Sequence, residues 1–303
     1  MTAITIKTTS PTSAKVARGT ARAARLIFLA ATAVFFAVPL LWMLLAPTKT
    51  DQELTTLPPL AFGSFENIGT AWNNLMSFND AEVLLWTSNT IFYALGTVII
   101  AVAISIPAGY ALAMYRFPGR RLLLLLTLIG MILPTAATLL PIYRELALVG
   151  LVNTPWAVIL PSAFFPFGVY LTYLHFQSAL PVELVEAAKM DGATDLRVFW
   201  SLGLPLARPA VALVTFFAFV ANWNNYFLPY VMLFNDKLFN IQLGVGTLLS
   251  AAPVLSNETN SQLPIHRPEA ALAGLIAIVP IALIFVVFQR FIGTSMLSGA
   301  VKG

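Results

Sequence analysis

Glu183–Pro209 reads ELVEAAKMDGATDLRVFWSLGLPLARP, and this stretch decides how the rest of the chain is laid out. It carries four of the chain's thirteen acidic residues and three of its seventeen basic ones, with long apolar runs on either side. Charge is costly in hydrocarbon, so the stretch must sit in water between two membrane spans. On a helical wheel Glu183, Glu186 and Lys189 share one face, and Leu184, Val185 and Ala188 fall opposite. That is a short amphipathic helix. Pro181 suits its first turn, and the glutamates lie near the positive end of its dipole. Gly192 supplies a left-handed stop, and Thr194 caps a second short helix carrying Leu196 and Phe199. Pro205 is expected to end that helix and Pro209 to open the next span. Two rigid helices projecting from a membrane domain make a handle for another protein.

Working outward, 58% of the 303 residues are hydrophobic and only 10% are charged, against about 25% charged in soluble domains. The fold class is therefore an all-α polytopic membrane protein. The absence of cysteine excludes a disulfide framework, a thiolate nucleophile and a Cys-based metal site. No basic patch interleaved with aromatics suggests nucleic acid.

Residues 1–25 hold Lys7, Lys15, Arg18, Arg22 and Arg25 with no acid, and read as a disordered basic tail beside anionic lipid. Leu26–Ala46 is long enough to cross a bilayer and longer than a signal-peptide core, so it is read as a retained span. Five more spans follow, roughly Thr87–Tyr115, Leu122–Tyr143, Trp156–Phe176, Pro209–Leu233 and Ala270–Phe288. Residues 26–303 thus read as one six-helix transmembrane domain, with a loop at about 177–209 and a tail at 289–303. Pro47 to about Leu85 and Phe234–Pro268 read as polar segments on the other side, the first with short helices. With six spans, both termini, the RFPGRR turn (Arg116–Arg121) and the Glu183–Pro209 loop share one side, which holds 13 bases and 4 acids; the other holds 4 bases and 9 acids. The basic side is expected to be cytoplasmic.

Ala101, Ser105, Gly109 and Ala113 recur every four residues, a spacing that lets two helices approach closely; small residues are also common in membrane helices anyway. Pro39, Pro107, Pro134, Pro141, Pro161, Pro166, Pro229 and Pro280 suit bent helices around a cavity, or simply the usual proline content of membrane helices. No ionisable Asp, Glu, Lys or Arg lies mid-span, which weighs against an ion-coupled carrier and an intramembrane aspartyl protease. His175 and His266 sit in no metal-binding pattern. No GxxxxGK[ST] loop is present, so ATP cannot be cradled by this chain and energy has to come from a partner. The one strong polar cluster inside a span is Asn222, Trp223, Asn224, Asn225 and Tyr226. Buried amides need partners. They either line a wet pathway, with the rings stacking on sugars, or bond between helices or join an aromatic belt.

EAAKMDGA followed by Phe199 and LPLARP resembles the EAA loop of ABC-importer permeases, and the DGA form with a GAVKG ending is similar to the carbohydrate-uptake, maltose-type branch. The resemblance covers roughly Trp86–Gly303 and includes an Asn-Trp-Asn stretch. It implies a type I importer transmembrane domain that forms half of a translocation pathway for an oligosaccharide, glycoside or related polyol. It further implies a second homologous permease, a cytoplasmic ATPase dimer that binds ATP and Mg, and an extracytoplasmic binding protein. The setting would be a bacterial or archaeal cytoplasmic membrane with both termini cytoplasmic. The chain would hold no cofactor or metal and would not itself be an enzyme. Glu186 maps to the family's acidic position, Gly192 to its glycine and Asp191 to its turn acid. Coupling to the ATPase would involve Glu183, Glu186, Ala187, Ala188, Asp191, Gly192, Ala193, Phe199 and Pro205. Residues from about Asn235 to Arg267 would reach toward the binding protein. An ion-coupled carrier, a permease for a non-sugar solute and a membrane scaffold remain as alternatives.

Overall fold

The computed structural model describes the backbone of residues 11–251 and 265–300, and side chains within 21–250 and 265–289. All regular structure among the described residues is helical. In chain order the helices are α1 (Pro11–Leu45), α2 (Asp51–Thr56), α3 (Phe65–Ser77), α4 (Glu82–Met114), α5 (Arg120–Ile132), α6 (Thr135–Leu148), α7 (Trp156–Ala163) and α8 (Pro166–Ala179). They continue with α9 (Val182–Met190), α10 (Asp195–Val198), α11 (Leu204–Leu206), α12 (Arg208–Trp223), α13 (Phe227–Met232), α14 (Ile241–Ala251) and α15 (Arg267–Ala300).

Four stretches, Ala21–Thr48, Glu82–Met114, Trp156–Ala179 and Arg267–Gln289, are long and apolar enough to cross a membrane. Two further candidates are bent, by 108° between α5 and α6 and by 74° between Asp195–Leu206 and α12; the count reaches the expected six when each bent pair is taken as one span. Prolines set the breaks. Leu133 before Pro134 is extended (φ −60°, ψ 124°), so the expected Leu122–Tyr143 span turns sharply there. Phe165 before Pro166 likewise divides α7 from α8.

Several expected boundaries shift. Where a disordered tail to Arg25 was expected, α1 is already helical from Pro11, because Ala, Arg and Lys extend an existing helix with no new nucleation cost. Residues 1–10 lie outside the described residues. The Pro209–Leu233 span stops at Trp223; Asn225 offers its Oδ1 to Leu228 N at 3.2 Å, competing with the helical ladder, and α13 follows as a separate turn. The last helix runs through the expected 289–303 tail to Ala300. Within Phe234–Pro268, Ile241–Ala251 forms an apolar helix, too short to span, that packs on α4.

Helix α4 is the hub, packed against α7, α8, α12 and α14. Ser105 and Gly109 face α8, two of the positions the four-residue spacing picked out, and Ala101 is buried as well. A Cβ on Gly109 would overlap the Thr172 hydroxyl, which instead donates to Ser105 O at 2.9 Å. Glycine here sets the helix separation.

The ends of α4 carry different structures. At the shoulder end, the segment from Ala46 to Ser77 and the start of α15 come together. Thr50 and Glu53 close a capping box on α2. Lys49 is 1% exposed and donates to Pro58 O and Pro59 O, each at 3.0 Å. Glu269, also buried, accepts from Asn74 Nδ2 at 2.8 Å and from His266 N at 2.9 Å. At the loop end lie the RFPGRR turn and α9–α11. Gly119 takes φ +88° there, and Arg120 Nε donates to Leu112 O at 2.7 Å, capping the end of α4.

Candidate functional site

The loop between α8 and α12 is built from local signals. Helix α9 ends in a Schellman motif: Gly192 has φ +83°, Ala193 N donates to Ala188 O and Gly192 N to Lys189 O, each at 3.0 Å. Thr194 Oγ1 then accepts from Arg197 N at 3.4 Å and caps α10. Both cap residues serve as the sequence suggested.

Pro205 does not stop the second helix. Phe199–Gly203 forms a π-helical segment, with Leu204 N bonded to Phe199 O, and the helix carries on through Pro205 to Leu206. The wider π turn shifts the hydrogen-bond register just before the residue that lacks an N–H, so proline is accommodated. The chain instead turns at Ala207, and Pro209 occupies the first turn of α12. Leu206 O lies 3.0 Å from His175 Nε2, which ties the loop to the end of α8.

Underneath, Val185, Val198 and Phe199 are buried with Tyr110, Phe176, Leu180, Ala207 and Val214. Phe199 stacks edge-on against Tyr110 at 5.0 Å, and Phe176 meets the same ring at 5.2 Å. Phe199 therefore anchors the loop to α4 and is not itself presented outward. The open side holds Glu183, Glu186, Ala187, Asp191, Gly192 and Pro205, with Ala188 and Ala193 half-buried. Beside the acids stand Met190, Leu196 and Trp200, 88%, 67% and 59% exposed. Leu184, expected to face inward, is exposed as well: the loop rests on the membrane domain along the narrow Val185 edge, leaving little apolar surface covered. Sequence reasoning missed this apolar component, although Met190, Leu196 and Trp200 bracket the acids in plain view.

Lys189 also departs from the wheel. Its Nζ turns back across the Gly192 turn to Asp195 Oδ1 at 2.7 Å and lies 5.4 Å from the centre of the Tyr115 ring. The Asp195 carboxylate holds the Lys189 ammonium above its usual range, and Lys189 holds Asp195 below its own. Burial raises the Tyr115 phenol, with Tyr110 and Asp195 adding to the shift.

The second candidate, the break after α12, divides into two halves. Asn222 and Trp223 are 3% and 1% exposed. Asn222 Nδ2 donates to Thr97 Oγ1 on α4 at 2.8 Å, and Trp223 Nε1 to Ala277 O on α15 at 2.9 Å. Both bond between helices of this chain, one of the two alternatives the sequence left open. Asn224 and Tyr226 are exposed and Asn225 half-buried. Tyr226 stacks on Tyr230 with centres 5.7 Å apart and planes 16° from parallel, a partner absent from the sequence-derived set. Room for the Tyr226 ring comes from Gly246 on α14, where a Cβ would approach it to 2.8 Å. The segment from Asn235 to Ala251, expected to reach outward, lies against α4: Trp86 Nε1 donates to Asp236 O at 3.0 Å, Tyr93 OH to Leu238 O at 2.7 Å, and Thr90 Oγ1 accepts from Ile241 N at 2.7 Å. The remainder of that stretch, 252–264, lies outside the described residues. Among the described residues no group of three or more His, Cys, Asp or Glu is placed to hold a metal ion.

Comparison with known proteins bears on these two features. Residues 105–298 match the family described as "Binding-protein-dependent transport system inner membrane component". The chain is similar to the arabinooligosaccharides transport system permease protein AraQ of Halalkalibacterium halodurans, with 32% identity over 91% of this chain and 94% of that one. It is also similar to the diacetylchitobiose uptake system permease protein NgcG of Streptomyces coelicolor (30% identity, 89% and 85% covered) and to the maltodextrin transport system permease protein MdxG of Bacillus subtilis (31%, 75% and 78%). A crystal structure of a bacterial ABC transporter involved in the import of the acidic polysaccharide alginate contains a chain that superposes with a TM-score of 0.75 at 23% identity, covering 94% of this chain and 99% of that one.

Proposed function

The chain belongs to the family of binding-protein-dependent transport system inner membrane components, and from that premise we propose that it forms half of the translocation pathway of an ATP-driven importer for an oligosaccharide or related glycoside. As a family member it is a multi-pass membrane transport subunit rather than an enzyme. The sugar class is supported by relatives that carry arabinooligosaccharides, diacetylchitobiose and maltodextrin. Their agreement also argues against an ion-coupled carrier and a scaffold.

The partners in this reading are a second permease of the same fold, a cytoplasmic ATPase dimer and an extracytoplasmic solute-binding protein. ATP and Mg are held by the ATPase. The loop end of α4 faces the cytoplasm, and both termini lie on that side. Of the charged side chains there, Arg116, Arg120, Arg121, Arg197, Arg208 and Lys189 outnumber the four acids of the loop, as the positive-inside rule requires.

The observation that carries the reading is the open face of the α9–α10 loop. Glu183, Glu186 and Asp191 stand beside exposed Met190, Leu196 and Trp200 on a rigid, capped double helix. That composition suits an apolar cleft with a basic rim on the ATPase. A carboxylate buried there against a base loses about 3–5 kcal/mol when one partner is removed. Gly192→Asp acts differently, since a side chain strains the left-handed turn and redirects α10. Exposed Asn224, Tyr226 and Tyr230 border the pathway, where rings stack on sugars and amides meet hydroxyls.

The test is co-purification of the ATPase with Glu186→Ala and Gly192→Asp, followed by sugar uptake in vesicles supplied with ATP and binding protein. Both variants are expected to insert normally and to lose ATPase or uptake, whereas Glu66→Ala in α3 does neither. Wild-type docking and uptake in both would remove the coupling role.

A further inference from the structure

The loop is joined to α4 by side chains that lie off its open face. Lys189 precedes the Gly192 turn and Asp195 follows it, so their 2.7 Å ion pair spans the only left-handed residue between α9 and α10. Nothing lies within 4 Å of where a Gly192 side chain would start, so the turn is held by its two backbone bonds and half-buried Ala193 and not by contacts at Gly192 itself. Tyr115 caps α4 and receives the Lys189 ammonium over its ring at 5.4 Å. The same phenol contributes, after Lys189, to holding the Asp195 carboxylate low. Tyr115 in turn packs edge-on against Tyr110 at 5.8 Å, and Tyr110 meets both Phe199 and Phe176. A continuous set of contacts thus runs from both loop helices to the one helix that touches most of the membrane domain.

We infer that Lys189, Asp195 and Tyr115 form a clasp that fixes α9 and α10 to each other and to the loop end of α4, so that a push on the loop moves α4 instead of being absorbed at Gly192. The inference rests on the reading that the loop receives force from an ATPase. The three are positioning residues. Lys189 and Asp195 are 43% and 59% exposed, and exposed pairs add little to stability. Their value is geometric: a pair bridging a single-glycine joint restricts the angle between two short helices. Without it, only the Schellman bonds and the shared apolar cluster of Val185 and Val198 hold the angle between α9 and α10. The aromatic joint then passes on only part of the motion, because apolar packing resists sliding less than a directional contact does.

The experiment uses the assembled importer in proteoliposomes, with binding protein outside and ATP inside, and reads sugar imported per ATP hydrolysed. Lys189→Gln, Asp195→Asn and Tyr115→Leu are each expected to lower that ratio about three- to fivefold, the scale of a partly screened pair, with ATPase content and unfolding midpoint near wild type. The reversal Lys189→Asp with Asp195→Lys is expected to recover most of the ratio, which a merely structural role for either side chain would not produce. An unchanged ratio in the single variants overturns the clasp. So does a reversal no better than the singles, which would mean that the two groups do not act as a pair. Loss of the ATPase from the single variants also overturns it, by placing the pair on the docking face. Glu186→Ala run alongside reports separately on docking: if it keeps the ATPase and full uptake, the parent reading fails whatever the clasp variants do.

Discussion

The two ends of α4 are held in different proportions by hydrogen bonds and apolar contact. At the shoulder end, Trp86, Asn89, Thr90 and Tyr93 each engage the backbone of Asp236–Ile241 by a directional hydrogen bond of 2.7–3.0 Å. Trp86 is also seated over Gly244 so closely that no Cβ would fit. At the loop end, the bonds of Arg120 to Leu112 O and of His175 to Leu206 O aside, the loop is seated by apolar contact of Tyr110, Phe176 and Phe199, and the one ion pair nearby stands in water. Hydrogen bonds in a low-dielectric setting fix distance and direction. Apolar contact is non-directional and tolerates small rotations. The difference teaches where a moving part can be attached: under the proposed coupling, the shoulder stays still and the loop end follows what pushes on it.

This comparison can be broken from either side. The largest effect is expected from Phe199→Ala, which removes the ring that seats the loop on Tyr110 and leaves a cavity, at about 3–5 kcal/mol. Protease nicking should appear in residues 182–206 of the purified protein while the shoulder stays protected. Nicking spread over both ends would mean that they are not separate units. Gly244→Ala comes next. Its Cβ overlaps the buried Trp86 ring and forces α14 off α4, at about 1–3 kcal/mol by denaturant titration in detergent, with the loop undisturbed. A cost near zero would show that the shoulder yields as readily as the loop.

Between the ends, Asn222→Ala removes the 2.8 Å bond to Thr97, at about 0.6–1.7 kcal/mol. Since Asn222 bonds within the chain, its stability should fall with substrate preference unchanged; alanine at exposed Asn224 should do the reverse. Uptake of a panel of labelled oligosaccharides separates the two outcomes.

The smallest effect is the pH response of the loop. Asp195 is held below its unfolded pKa, so the pair's contribution is complete above that value, about 3.9, and is lost as pH falls through the lowered one. Lys189 is held above its unfolded value of about 10.4, so the contribution is complete below that and is lost as pH rises through the raised one. Loop protection against protease should therefore be flat from about pH 5 to 9 and decline only outside it. A midpoint near neutrality would show that the Lys189–Asp195 pair does not set the loop's pH response.

The loop was legible in the sequence because its signals are local. Charges between apolar runs, Gly192 as a left-handed stop and Thr194 as a cap all act within four residues of where they stand. What hydropathy could not see was geometry. TLIGMILPTAATLLP reads as one apolar run, yet it turns by 108° at Leu133–Pro134. Likewise IQLGVGTLLSA carries no polar alternation to separate a loop from a short packed helix. The shoulder was hidden for a different reason. Trp86 finds Asp236, and Asn222 finds Thr97, across 150 and 125 residues of sequence, and such pairings leave no periodic trace. Lys49 shows the same limit: nothing local in the sequence points to the two proline carbonyls that take it in. For the Asn222–Tyr226 cluster, composition drew attention to the residues, and only the packing of α12 sorted those turned inward from those left open.

The most direct test of the central claim, that the Glu183–Pro209 loop receives the ATPase's motion, uses the chain's lack of cysteine. Met190→Cys, at an 88% exposed position of the loop, and Glu66→Cys in α3 are each labelled with a thiol-reactive benzophenone in the assembled importer and irradiated with and without ATP. The account predicts that the Met190 position cross-links to the ATPase subunit with a yield that changes on ATP binding, and that the Glu66 position does not reach the ATPase at all. ATPase cross-links from Glu66, or none from Met190 in a complex that retains its ATPase, would contradict it.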